Sequence, residues 1–249
     1  MSGGANGTAD VAAGWTARAL AYRHPGAARP AVDGVTLDVP PAGLTAVLGP
    51  NGAGKSTLLA LLLGTRRPAS GAAAFAGRAL GVWPRAELAR RVGVVPQGEE
   101  FAFPLTVRAL VEMGRYPHLG AWEPARAVDR AVVDAALERV GLAEFAGRDV
   151  GTLSGGEQKM LIIARALMAQ PKLMLVDEIT EGLQPSVIAR LADVLRTQRD
   201  AGTAILLLGA VGLVVAFAVI AVPAVRRLPR GPVSAEETFR PEAPPGAPA

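Results

Sequence analysis

Gly49, Pro50, Asn51, Gly52, Ala53, Gly54, Lys55, Ser56 and Thr57 stand directly after the apolar run Leu44-Thr-Ala-Val-Leu48 and before Leu58-Leu-Ala-Leu-Leu-Leu63. No other stretch restricts the fold so tightly. A buried strand must run into a tight glycine loop, and the loop into a helix. Glycines let backbone N–H groups close around phosphate oxygens that bulkier side chains would block. The helix opening at Lys55 turns its positive end toward the same anion. Lys55 has the reach for β- and γ-phosphates, and the Ser56 hydroxyl suits the coordination shell of a magnesium ion. The pattern therefore predicts a nucleoside triphosphate site in an α/β fold.

The rest of the chain fits that prediction. With 249 residues it is long enough for one large domain or a domain with a subdomain. There is no cysteine, so disulfide staples and thiol–metal sites are excluded. The net charge of +4 comes from arginines scattered among acids, with no basic block and no interleaved aromatics. That distribution does not predict a nucleic-acid surface. Residues 1–14 are small and polar and read as a loose tail, without the basic-then-apolar order of a signal peptide.

Strand-like alternation covers Trp15 to Tyr22 and Val32 to Val39, and a further short strand reaches Phe75. Arg91-Val-Gly-Val-Val-Pro-Gln97 reads as a buried strand ending in a polar residue. The signal from Thr106 to Gly141 is helical, with an apolar face of Val107, Leu110, Val111 and Met113. Ser154 opens a further helix toward Ala169. Lys172 to Asp177 is a strand, and Pro185 starts a helix that Gly202 stops after Asp200. Strands alternating with helices predict a parallel sheet. Asp177 and Glu178 end one of its buried strands, which is the ligand edge of such a sheet. There Asp177 suits the magnesium shell and Glu178 the role of general base toward water.

Leu153-Ser-Gly-Gly-Glu157 is the form of a signature motif. With it the chain resembles the ATP-binding subunits of ABC transporters over about residues 15–208, with its motifs in the family's order. The resemblance implies a P-loop ATPase core with an antiparallel β region and a helical subdomain at about 98–160. It implies ATP and Mg²⁺ as ligands, and Ser154, Gly155, Gly156 and Glu157 at the γ-phosphate held by the opposite subunit of a dimer. A plain capping box, Ser154 with Glu157, is compatible with the same residues. By resemblance Gln97 contacts Mg²⁺ or water and Tyr22 stacks on adenine. Membrane permease subunits and the cytoplasmic face of the cell membrane follow from the same source. Gln184 stands where the family usually has Asp, and Ile179 where it usually has Pro.

Two halves resemble different importers. Phe103-Pro-Leu-Thr-Val107 and Met113-Gly-Arg-Tyr-Pro-His-Leu-Gly120 are similar to subunits of siderophore, haem and cobalamin importers. Residues 157–207 are similar to those of branched-chain amino acid and urea importers. The helical subdomain faces the membrane partner in this family and lies in the first half, which favours the metal-chelate class. Past Leu208 the resemblance stops, for Gly209, Ala210 and Val211 occupy the place of a γ-phosphate-contacting His. From Ala201 to Val225 no side chain is charged. As one helix that stretch would span about 37 Å, against about 30 Å of hydrocarbon core. Residues 203–208 also suit a buried core strand, and residues 209–225 alone are at the short limit of a span. Direct membrane contact through 209–225 is therefore expected, followed by a Pro/Ala-rich tail over 226–249. Two further readings stay open: a hybrid chain that binds ATP but hydrolyses it poorly, and a membrane-tethered ATP sensor.

Overall fold

The computed structural model describes residues 14–99, 103–119, 126–180 and 182–209, and the backbone of 224–227. In chain order the strands and helices are β1 (Trp15–Tyr22), β2 (Val32–Val39), β3 (Leu44–Leu48), α1 (Lys55–Leu62), β4 (Ser70–Phe75), β5 (Arg78–Ala79), α2 (Arg85–Ala89) and β6 (Val92–Val95). There follow α3 (Val107–Met113), α4 (Ala127–Arg139), α5 (Gly155–Leu167), β7 (Leu173–Asp177), α6 (Pro185–Asp200), β8 (Ala204–Gly209) and β9 (Ala224–Arg227). One sheet is antiparallel with order β2-β1-β4-β5, and the other is parallel with order β6-β7-β8-β3-β9.

Every residue of β3, β7 and β8 is buried, as strands covered on both faces require. Because side chains alternate along a strand, these strands feed two separate cores. Leu44, Ala46, Leu48, Met174, Val176, Ile205 and Leu207 pack with α3, α4, α5 and α6. Val47, Leu173, Leu175, Ala204, Leu206 and Leu208 pack instead with α1 and with Trp15, Leu20 and Phe75 of the antiparallel sheet. The parallel sheet is thus a wall, with the nucleotide-loop helix on one side and the helical region on the other.

The long helical signal between Thr106 and Gly141 resolves into α3, a 3₁₀ turn at Tyr116–His118 and α4. Arg115 follows α3 and is buried. Its guanidinium donates to Asp129 Oδ1 of α4 at 2.9 and 2.7 Å and to Met168 O at 2.7 Å. One cation therefore ties α3 to α4 and to the end of α5. The bond from Arg115 is the main reason the Asp129 carboxyl lies below its ordinary range. His118 is half-buried with Nε2 3.2 Å from Ala169 O.

Of residues 203–208, Ala204 to Leu208 join the sheet rather than a membrane helix, and β8 runs one residue further, through Gly209. Most of the apolar segment 209–225 lies outside the described residues. Its last two residues, Ala224 and Val225, belong to β9, parallel to β3. Arg226 and Arg227, assigned from sequence to the C-terminal tail, pair there with Val47 and Leu48. Both ends of the segment are therefore strands of one sheet. No helix among the described residues is long and apolar enough to cross a membrane.

Candidate functional site

Parallel strands share a direction, so the C-terminal ends of β3, β6 and β7 lie on one edge of the sheet. Hydrogen bonding fixes their register: Leu48 pairs with Gly209, Asp177 with Leu208, and Val95 with Val176. That edge receives the phosphate loop from β3, the Asp177–Glu178 pair from β7, and Gln97 two residues past the end of β6. The Gly49 N–H donates to Gly209 O at 3.2 Å, which anchors the start of the loop to β8.

Lys55 opens α1 and is 4% exposed. Its Nζ donates to Gly49 O and Pro50 O, each at 3.0 Å, and lies 2.8 Å from Glu178 Oε1. A buried ammonium needs such partners, because desolvation otherwise costs several kcal/mol. The other Glu178 oxygen, Oε2, accepts from Gln97 Nε2 at 2.8 Å. Glu178 has φ +40, a left-handed conformation that costs a residue with a Cβ about 1–2 kcal/mol. Its N–H donates to Leu208 O at 2.8 Å, so backbone and side chain are both held against that strain.

Asp177 is buried. Ser56 Oγ donates to its Oδ2 at 2.9 Å, while Oδ1 is buried without a hydrogen-bond partner. Burial pushes the Asp177 carboxyl above the usual carboxylate range, opposed by the Ser56 bond. Glu178 adds to the rise, and the charges of Lys55 and Lys159 act against it. An orphaned carboxylate oxygen beside a hydroxyl is an incomplete set of hard oxygen donors and fits Mg²⁺. The described residues contain no cluster of three or more His, Asp or Glu able to hold a metal by itself. A magnesium ion here would need phosphate oxygens as well, as Mg²⁺ at nucleotide sites ordinarily does.

The structure brings the sequence-derived residues Lys55, Ser56, Gln97, Asp177 and Glu178 together. Gln97 reaches Glu178 rather than the Ser56–Asp177 pair. The signature residues form a unit of their own at the start of α5. Glu157 Oε2 accepts from Ser154 N and Ser154 Oγ, each at 2.7 Å, and Glu157 N–H donates to Ser154 Oγ at 3.4 Å. Those bonds hold the Glu157 carboxyl below its ordinary range. Tyr22 ends β1 with its hydroxyl accepting from Arg66 Nη1 at 2.8 Å, and the ring of His24 meets it edge-on at 5.1 Å. His24 Nε2 lies 3.2 Å from Thr57 Oγ1, so it touches the end of the phosphate loop. Sequence reasoning passed over His24. Its signal was its rarity, as one of two histidines, and its place two residues after Tyr22. The place of the family's His, at Ala210, lies outside the described residues.

A glycine loop, a catalytic-type carboxylate pair and a bridging glutamine on the ligand edge of a parallel sheet define a P-loop NTPase. The antiparallel sheet and the helical region on its opposite faces narrow this to the ABC ATPase architecture. The family model described as "ABC transporter" matches residues 32–181, from β2 through the Asp177–Glu178 pair. The chain belongs to the ABC transporter family. It is 41% identical over 169 residues to a cobalamin import ATP-binding protein of Halobacterium salinarum, covering 68% of this chain and 42% of that protein. It is 39% identical over 204 residues to a hemin import ATP-binding protein of Rhodopseudomonas palustris, covering 79% and 73%. Among solved structures it is similar to cbiO1 of Clostridium perfringens, part of the cbiONQ ABC transporter complex. There the TM-score is 0.68 and identity 27%, over 79% of this chain and 78% of that one. The chain thus spans less than half the length of the cobalamin relative.

Proposed function

We propose that the chain is the ATP-binding and ATP-hydrolysing subunit of an ABC importer of the metal-chelate type. It would act as a dimer on two membrane permease subunits at the cytoplasmic face of the membrane. The observation that carries this reading is the continuous contact Lys55–Glu178–Gln97 beside Ser56–Asp177. Relatives named for cobalamin and hemin import support the substrate class, as does the importer-like segment around Tyr116. A groove of about 300 Å³ in the helical region, lined by Leu105, Met113, Tyr116, Leu119 and Val133 among others, suits a docked permease element. Tyr116 is exposed there.

Chemically, Lys55 begins paired with Glu178. A γ-phosphate in the loop offers Lys55 a stronger, charge-assisted partner. That exchange leaves the Glu178 carboxylate to take a proton from water as the water oxygen attacks the γ-phosphorus. The bond to the bridging oxygen breaks, and ADP and phosphate leave. Ser56 and Asp177 would hold Mg²⁺, which neutralises charge on the phosphate oxygens when bound. The backbone N–H groups of the loop orient the phosphates. Ser154, Gly155 and Gly156 would complete the site of the opposite subunit, and Tyr22 would take the adenine face. The hybrid and tethered-sensor readings are not favoured, since the relatives are named as import ATP-binding proteins.

Lys55→Ala tests the binding step. Calorimetric titration should show Mg-ATP affinity reduced about 10–150-fold, since a charged contact to phosphate is worth about 1.5–3 kcal/mol. Equal affinity in the two proteins would refute the reading.

A further inference from the structure

Two cations of α5 hold the segment that follows β6. Lys159 Nζ donates to the backbone carbonyl of Gln97. Six residues further along, Arg165 Nη1 donates to Glu99 Oε1 at 2.6 Å, and its Nη2 lies 2.6 Å from Glu99 Oε2. The Gln97 side chain carries the connection onward to Glu178 Oε2 at 2.8 Å, and Glu178 Oε1 meets Lys55 at 2.8 Å. Four residues thus form an unbroken polar path from α5 to the phosphate loop. The same helix begins at Ser154, Gly155 and Gly156, so a shift of its first two turns is delivered to the Gln97 carbonyl.

We propose that Lys159 is a positioning residue for Glu178, acting through Gln97, and that it couples the Ser154–Glu157 motif to the base; this rests on the ATPase reading above. A lysine suits the task. Its long stem reaches from the helix to a main-chain oxygen, and its charge strengthens a bond to a neutral carbonyl. Holding the backbone at 97 restricts where the amide of that residue can point. The amide in turn fixes one carboxylate oxygen of Glu178 and leaves the other for Lys55 or a proton. Without the clamp Gln97 gains rotational freedom and Glu178 loses its fixed orientation, while the phosphate-binding surface stays intact.

The test uses the full chain in four variants: Lys159→Met, Lys159→Arg, Gln97→Ala, and Gln97→Ala with Lys159→Met. ADP affinity is measured by calorimetry and kcat by phosphate release. ADP affinity in Lys159→Met should stay within about twofold of the parent, while kcat falls about 10–100-fold, the cost of misplacing a reacting group. Lys159→Arg should recover most of that loss. The double variant should be no slower than Gln97→Ala alone, because both changes cut one path. Unchanged kcat in Lys159→Met, multiplicative losses in the double variant, or a parallel fall in ADP affinity would each overturn the proposal. If parent turnover lies below detection, hydrogen exchange over residues 92–99 decides. Protection should drop about 10-fold in Lys159→Met and be kept in Lys159→Arg, and equal protection in all three refutes the clamp. A parent that fails to bind ADP at all would strike the nucleotide reading instead.

Discussion

Gly54 and Gly52 provide a matched pair for testing how the phosphate loop is built. Gly54 has φ +84, and a Cβ placed there would lie 2.0 Å from Ala31 O. Gly52 has nearly the same conformation, φ +80, but a Cβ there would meet nothing within 4 Å. An alanine at either position bears the left-handed penalty of about 1–2 kcal/mol. At Gly54 it also forces a backbone carbonyl aside. That carbonyl cannot yield cheaply, since Ala31 N–H donates to Tyr22 O at 2.9 Å and Val32 begins β2. Overpacking of this kind adds about 1–3 kcal/mol. Gly54→Ala should therefore cost about 2–5 kcal/mol and Gly52→Ala about 1–2 kcal/mol. For a chain of this size each kcal/mol lowers Tm by about 2–4 °C. Urea unfolding followed by far-UV circular dichroism gives both values, with equal m confirming an unchanged transition. Equal costs for the two variants would refute the claim that the turn between β1 and β2 buttresses the loop.

The raised Asp177 carboxyl predicts a conflict between stability and binding. Its charge is penalised in the folded nucleotide-free protein, fully above its folded pKa and not at all below its unfolded value near 3.9. Asp177→Asn should therefore raise Tm at neutral pH, lose that advantage as the pH falls toward 4, and abolish the Mg²⁺ dependence of ATP affinity. Thermal scans at several pH values, with titrations with and without magnesium, check this, and a lower Tm at neutral pH would count against it. Hydrolysis by the unaltered chain should be slow, because the residue after Gly209 is Ala where the resemblance puts a His, and one lost polar contact to a transition state costs about 10²–10³ in rate. Ala210→His should restore part of that rate in a phosphate-release assay, since β8 ends in register with β3 at Leu48. Brisk turnover by the parent, lost in Glu178→Gln, would show that another group fills the role.

The chain's local chemistry was legible from the order of its residues. The phosphate loop depends on glycines, a strand and a helix start that are contiguous, so Gly49 to Thr57 announce themselves. The Ser154–Glu157 capping box closes within three residues, and it formed as its spacing implies. The apolar runs of β3, β7 and β8 are unbroken because parallel strands are covered on both faces; β3 has the bounds of its apolar run, while β7 and β8 each begin one residue later than the sequence suggests. Other features could not be read this way. The bond between Lys55 and Glu178 joins residues 123 positions apart, and Lys159 meets Gln97 across 62. Which side chains meet depends on β8 lying between β7 and β3, and strand order leaves no mark in any one strand's sequence. His24 reaches Thr57, and Arg115 reaches Asp129 and Met168, only after two cores have packed on opposite faces of one sheet. The apolar stretch after Leu208 carries no polar face, so burial in lipid and burial in protein give the same pattern. The pairing of β8 and β9 on either side of β3 places both ends of that stretch in the sheet. Sequence determined which groups could bind a nucleotide, because that chemistry is contiguous; tertiary structure alone decided which charges face one another, because those contacts are set by strand order.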